Sequence, residues 1–240
     1  MKTERINLLS SPRNLSTALM YSFAQRNDTQ VIDEPFYGHY LRHVEVHHPG
    51  IDEVLSSLKD EAEVIAEKLC NGKRTKKVLF IKNMTAHMTA FDTRFLGQLT
   101  NIIYIRDPKL ILHSYAKVAD RPTARELGTA LQLELFQQLS AKNKRPIVLD
   151  SSELLKNPAK VLQQLCKACA IPWTESMLSW EAGPRPEDGV WAKYWYNNVH
   201  KSTGFKPFKK TQIQLPPSLQ AIYQQLKPYY ESLYQYAIKA

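Results

Sequence analysis

The chain has 240 residues and a formal net charge of +9; 43% of it is hydrophobic and 23% charged. That is the composition of a folded domain with an ample core. It excludes a low-complexity linker, a membrane span and, with three cysteines, a completed disulfide framework. A single domain over 1–240 is expected. The positive balance favours a polyanionic ligand. The densest basic run, Lys73-Arg74-Thr75-Lys76-Lys77, lacks interleaved aromatics and reads as a solvated loop, so neither a nucleic-acid nor a membrane partner is expected. A charged N-terminus running straight into a strand predicts no signal peptide, hence a cytoplasmic, reducing location.

Ile6-Asn7-Leu8-Leu9 is short and apolar and predicts a buried strand. The polar turn Ser10-Ser11-Pro12-Arg13-Asn14 comes next, then a helix over 15–25. Val31-Ile32-Asp33 is a second strand, stopped at Glu34-Pro35. Residues 38–49 carry His39, His43, His47 and His48 without a regular period. Their spacing does not predict a zinc site; a loop or short helix over the site is expected. An amphipathic helix is predicted over 51–69, ended by Asn71-Gly72. Val78-Leu79-Phe80-Ile81, a third strand, delivers Lys82 and His87 at its carboxyl end. A helix over 91–96 precedes the fourth strand, Asn101 to Ile105, which ends in Arg106-Asp107-Pro108. The next helix, 110–118, carries Ser114.

A helix over 123–140 leads to the fifth strand, Pro146 to Leu149, ending at Asp150. Ser151 or Ser152 caps a further helical region, and Pro158 opens a helix over 159–170. Its Cys166 and Cys169 form a C-x-x-C with no second pair, which predicts core cysteines. Residues 181–208 are rich in proline and aromatics and are expected to cover the site. A helix over 219–237 closes the chain.

Helices alternating with uniformly apolar strands predict a three-layer α/β/α sandwich around a mainly parallel five-stranded sheet, similar to the P-loop kinases. Ligands of such sheets sit outside the carboxyl ends of the strands. That rule gathers Arg13, Glu34, Lys82, His87, Arg106 and Ser114 on one edge. The first turn feeds a helix whose free N–H groups favour an anion, with hydroxyls from Ser16 and Thr17 and a charge from Arg13. Read alone, the same turn fits a plain capped helix equally well, with Ser10 or Ser11 as cap and Pro12 in the first turn. It lacks the Gly-Lys-Ser/Thr of a nucleotide hydrolase; no glycine precedes Gly38.

Ser11-Pro12-Arg13-Asn14-Leu15-Ser16-Thr17 resembles the 5′-phosphosulfate loop of the sulfotransferases. Ile103 to Pro108, with Ser114-Tyr115, resembles their 3′-phosphate element. Asp150 to Pro158, continuing to Cys166 and Ile171-Pro172, is similar to their late strand–helix segment. His200-Lys201-Ser202-Thr203-Gly204-Phe205 is a looser match to their cofactor-closing loop. The resemblance implies sulfuryl transfer from 3′-phosphoadenosine 5′-phosphosulfate (PAPS) to a small hydroxyl or amine acceptor, with no metal. It implies cofactor contacts at Ser11, Arg13, Asn14, Leu15, Ser16, Thr17, Arg106, Ser114, Lys201, Gly204 and Phe205. Arg13 and Lys82 would stabilise charge, and Glu34 or His87 would be the general base, Glu34 being favoured. Arg13 stands where many members have lysine, and Leu15 where the family usually has glycine. Ser151-Ser152-Glu153 replaces a tyrosine or acidic pair, and Lys201 substitutes for an arginine-lysine start. The alternatives are a P-loop kinase-like enzyme and a non-catalytic nucleotide-binding relative.

Overall fold

The computed structural model describes residues 2–116, 122–209 and 212–240. The elements run β1 (Glu4–Ser10), α1 (Ser16–Ala24), β2 (Thr29–Asp33), α2 (Tyr37–His43), α3 (Ile51–Ser57), α4 (Ala62–Asn71), β3 (Val78–Met84), β4 (Thr100–Ile105) and α5 (Pro108–Tyr115). Then come α6 (Ala124–Leu127), α7 (Thr129–Ala141), β5 (Ile147–Asp150), α8 (Ser151–Lys156), α9 (Pro158–Ala168), α10 (Ala192–Trp195), α11 (Asn197–His200) and α12 (Pro217–Tyr234). The strands form one sheet in the order β2-β3-β1-β4-β5, every neighbouring pair parallel.

Strand periodicity builds the three layers. Ile6, Leu8, Phe80, Ile102, Tyr104 and Leu149 point to one face, where Leu19 and Phe23 of α1 and Val161, Leu162 and Leu165 of α9 meet them. Leu9, Leu79, Ile81, Ile103, Ile105 and Val148 point to the other, under α4, α7 and α12. Each fully buried leucine or phenylalanine contributes roughly 2–3 kcal/mol by leaving water. Phe23 stacks on Phe80 with ring centroids 4.0 Å apart. Cys166 and Cys169 are buried in the first layer, and burial pushes their thiols up to about 11 and 12, so they are inert core side chains.

Two predicted helices are each divided. The one expected over 51–69 breaks between α3 and α4. The Leu58 backbone docks on Gly38 of α2, where an added Cβ would lie 2.6 Å from Leu58 Cβ. Arg42 donates to the Leu58 and Asp60 carbonyls at 2.9 and 2.8 Å, taking acceptors that a continuous helix would use itself. The helix expected over 123–140 divides at Gly128, which has φ +66° and packs 3.2 Å from Ala86 N and Thr85 Cβ as judged from an added Cβ. The helix expected over 91–96 is a 3₁₀ segment at Thr93–Gln98, started by the Asp92 side chain. Of the helix expected over 110–118, residues 117 and 118 lie outside the described residues.

The apolar run of β1 has one polar member, Asn7, and it is fully buried. It sits in a relay across the three central strands. Asn83 Nδ2 donates to Asn7 Oδ1 at 2.9 Å, and Asn7 Nδ2 donates to Asn101 Oδ1 at 3.0 Å. Asn101 in turn donates to the Leu96 and Leu99 carbonyls. Removing the middle member strands a buried donor and a buried acceptor. Asn7→Ala is expected to lower the urea-derived unfolding free energy by about 2–4 kcal/mol; a loss below about 1 kcal/mol would mean that the relay adds little.

Candidate active site

A cavity of about 490 Å³ opens at the carboxyl edge of the sheet, a size that suits a nucleotide-scale ligand. Its first wall is the turn between β1 and α1. Arg13 and Leu15 both have φ 59°, the left-handed region that non-glycine residues rarely adopt. Leu15 thus keeps the conformation a glycine would give, and it stands at the N-cap of α1 without a side-chain cap. Pro12 lies outside the helix, so the plain capped-helix geometry at Ser10 or Ser11 is not what forms. None of the backbone N–H groups from Arg13 to Ala18 has an acceptor among the described residues. Alternating left-handed residues at a helix start make a concave anion cradle.

Buried polar side chains hold this turn from below. Asn14 Nδ2 donates to the Tyr104 carbonyl of β4. Gln132, fully buried on α7, donates to the Leu9 and Tyr104 carbonyls at 3.2 and 3.0 Å and accepts from Ser11 Oγ at 3.4 Å. Ser11 therefore faces Gln132 and does not line the cavity; Asn14, Leu15, Ser16 and Thr17 do. Gln132 carried no signal in the sequence, since one glutamine in an amphipathic helix ordinarily faces solvent.

Two guanidiniums stand over the cradle. Arg13 Nε donates to Ser114 Oγ at 3.2 Å, and Arg106 Nη1 donates to the Arg13 carbonyl. Neither forms an ion pair with a carboxylate among the described residues. Burial holds both below the usual arginine value, and for Arg106 the neighbouring Arg13 adds to this. Gly204 and Phe205 line the cavity from the covering segment. Lys201 is exposed and does not line it; Lys206 does.

The far wall holds acid–base groups. Glu34 follows β2 with φ 41°, an uncommon conformation for a bulky residue. Lys82 of β3 is fully buried, and its Nζ donates to Asp33 Oδ1 at 2.9 Å, to Glu34 Oε1 and to the Tyr196 hydroxyl at 2.6 Å. Tyr196 donates to Asp33 Oδ2 at 2.7 Å and accepts from Trp191 Nε1 at 3.2 Å. Burial alone would lower Lys82; Asp33 and Glu34 outweigh it and raise the ammonium. Lys82 is thus committed to two carboxylates rather than being a free cation. His87 is stacked between Tyr37 and Tyr40, each ring centroid 4.7 Å away. Its Nδ1 has no hydrogen-bond partner and lies 3.9 Å from Glu34 Oε2. Burial drives His87 well below the ordinary histidine value, so it is a neutral imidazole at pH 7.

The segment over 181–208 is clasped to α1. Asp188 accepts from the Tyr21 hydroxyl at 2.8 and 2.7 Å and pairs with His200 Nε2 at 2.9 Å. Trp180 meets Tyr21 and Phe205 edge-on.

A family profile described as a sulfotransferase domain matches residues 4–236. The chain belongs to that family. In fold it is similar to the sulfotransferase domain of the Synechococcus PCC 7002 olefin synthase, with a TM-score of 0.64 and 17% identity over 96% of both chains. It is also similar to a sulfotransferase of Alicyclobacillus acidocaldarius, with a TM-score of 0.54 and 12% identity over 99% of this chain and 98% of that one. Two Arabidopsis thaliana relatives named branched-chain-amino-acid aminotransferase-like proteins 1 and 2 are 38% and 37% identical across 96% of the chain. The chain spans 41% of the length of each. No helix among the described residues is long and apolar enough to cross a membrane.

Asp33 gives the site a pH signature. Burial outweighs Lys82 and holds its carboxyl at about 6, against 3.8 when unfolded. Between those values the native chain binds a proton that the unfolded chain has lost, so this group's contribution to stability falls as pH rises through the window and is flat above it. Asp150, raised by burial to about 6, slopes the same way. Asp33→Asn is expected to flatten the curve of urea midpoint against pH between pH 4 and 6; parallel curves for variant and wild type would remove Asp33 from the account.

Proposed function

We infer that the chain moves a sulfuryl group from PAPS to the hydroxyl or amine of a small acceptor. One observation carries the reading: two part-buried guanidiniums, without carboxylate partners among the described residues, face a row of backbone N–H groups likewise without acceptors among them, in one cavity. Such an arrangement is costly unless an anion completes it, and a ligand with two separate anionic ends fits it. PAPS, when bound, supplies the sulfuryl group and a phosphate leaving group. The N–H groups of 14–18, with Ser16 and Thr17, would hold its 5′ end, and Arg13 would balance charge building on the leaving oxygen. Arg106 and Ser114 would take the 3′-phosphate. A kinase reading fits less well, because the turn has no lysine and Glu34, the carboxylate lining the cavity, is engaged by Lys82.

The acid–base wall supports Glu34 as the base. Lys82 fixes Glu34 Oε1, which leaves Oε2 on the side of His87 to receive the acceptor's proton. His87, neutral and wedged between two tyrosines, would orient the acceptor. Tyr37, Trp195 and Tyr196 line the same end with aromatic surface.

Calorimetry with adenosine 3′,5′-bisphosphate, with ATP–magnesium as the control, tests the binding half. Arg106→Ala and Arg13→Ala are each expected to weaken the bisphosphate by roughly 1.5–3 kcal/mol; binding of ATP–magnesium alone would overturn the reading. Transfer from labelled PAPS to a panel of phenols, alcohols and amines tests the chemistry. Glu34→Gln is expected to lower kcat by about 10²–10⁴-fold with bisphosphate affinity kept. Full rate in both Glu34→Gln and His87→Ala would remove both from the role of base. Bisphosphate binding with no transfer to any acceptor would point to a non-catalytic nucleotide binder.

A further inference from the structure

His39 is buried, at 3% exposure, and neither ring nitrogen has a hydrogen-bond partner among the described residues. A histidine so placed gives up its hydrogen bonds to water, and the nearest carboxylate, on Glu61, stands beyond hydrogen-bond distance, a cost that native structures rarely leave unexplained. It lies on α2, and His43 lies one turn later on the same helical face, the two rings stacked with centroids 4.1 Å apart. Glu61, at the N-cap of α4, turns Oε2 to within 3.7 Å of His39 Nδ1. One ligand atom from each of the three lies within 4.8 Å of the others.

We propose that His39, His43 and Glu61 form a binding site for a divalent transition-metal ion of the zinc class. Two imidazoles one helical turn apart with one carboxylate are a donor set suited to zinc, with a fourth position left for water. The surroundings prepare the ligands. His43 Nδ1 bonds the His39 carbonyl at 2.9 Å, which turns the ring and leaves Nε2 to coordinate. Arg42 approaches Glu61 Oε1 at 3.5 Å, while its terminal nitrogens are occupied by the Leu58 and Asp60 carbonyls; Oε2 is the oxygen left for the ion. The sequence did not reveal the site, because Glu61 lies far from His39 in the chain and reaches it only through the break between α3 and α4.

The ion would tie α2 to the start of α4. The same α2 carries Tyr37 and Tyr40, which hold His87, so the role is that of a structural clamp behind the acid–base wall rather than a participant in transfer.

Calorimetry of the full, tag-free chain with zinc chloride tests this. One zinc per chain at micromolar or tighter affinity is expected, with a matching rise in melting temperature. His43 and Glu61 are exposed, so His43→Ala and Glu61→Gln should fold normally by circular dichroism, and each should weaken zinc at least about tenfold. Affinity weaker than about 0.1 mM, or less than tenfold change in either variant, would overturn the site.

Discussion

The buried ammonium of Lys82 is the constraint on which the rest of the site depends. It joins three parts of the chain that share no sequence neighbourhood: the end of β2 through Asp33 and Glu34, the end of β3 through its own backbone, and the covering segment through Tyr196. Taking one ammonium and two carboxylates out of water costs several kcal/mol per ion, and such a cluster persists only when every partner is present. Loss of Lys82 would leave two buried carboxylates uncompensated. The cluster therefore acts less as a source of stability than as a requirement that β2, β3 and the cover take up one relative position.

The opposite wall is under a different kind of tension. There the turn is over-determined from beneath by Asn14 and Gln132, and this support lets Arg13 and Leu15 keep a backbone conformation that costs each roughly 1–2 kcal/mol. The result is a fixed cluster of backbone donors with no acceptor among the described residues. One wall carries its own counter-ion in Lys82, and the other is left electropositive.

Much of this was legible from the chain alone. Five apolar runs separated by helical periods specify a parallel sheet, and the rule that ligands gather at strand ends brought Arg13, Glu34, Lys82, His87, Arg106 and Ser114 to one edge. What escaped was whatever depends on long-range pairing. Lys82 reads as a free cation until Asp33 and Tyr196 are seen around it. The sequence points to Lys201, whereas Lys206 is the lysine of that loop that lines the cavity. Gln132 and Asn7 look like polar residues in ordinary elements, and only the sheet turns them into buried supports. The breaks at Leu58 and Gly128 are invisible to periodicity because they arise where another element's backbone comes close.

The contact between Gly38 and Leu58 carries a consequence for how such a domain can diversify. The electropositive wall is built on the sheet and locked to its core, whereas Tyr37, Tyr40 and the His87 they enclose ride on α2, whose seating is governed by that one glycine. Any side chain at 38 would push α2 away from Leu58 and tilt the aromatic wall without disturbing the anion cradle. The two ends of the cavity therefore rest on separate supports, and the packing of α2 on α3 can vary without a change in the turn between β1 and α1.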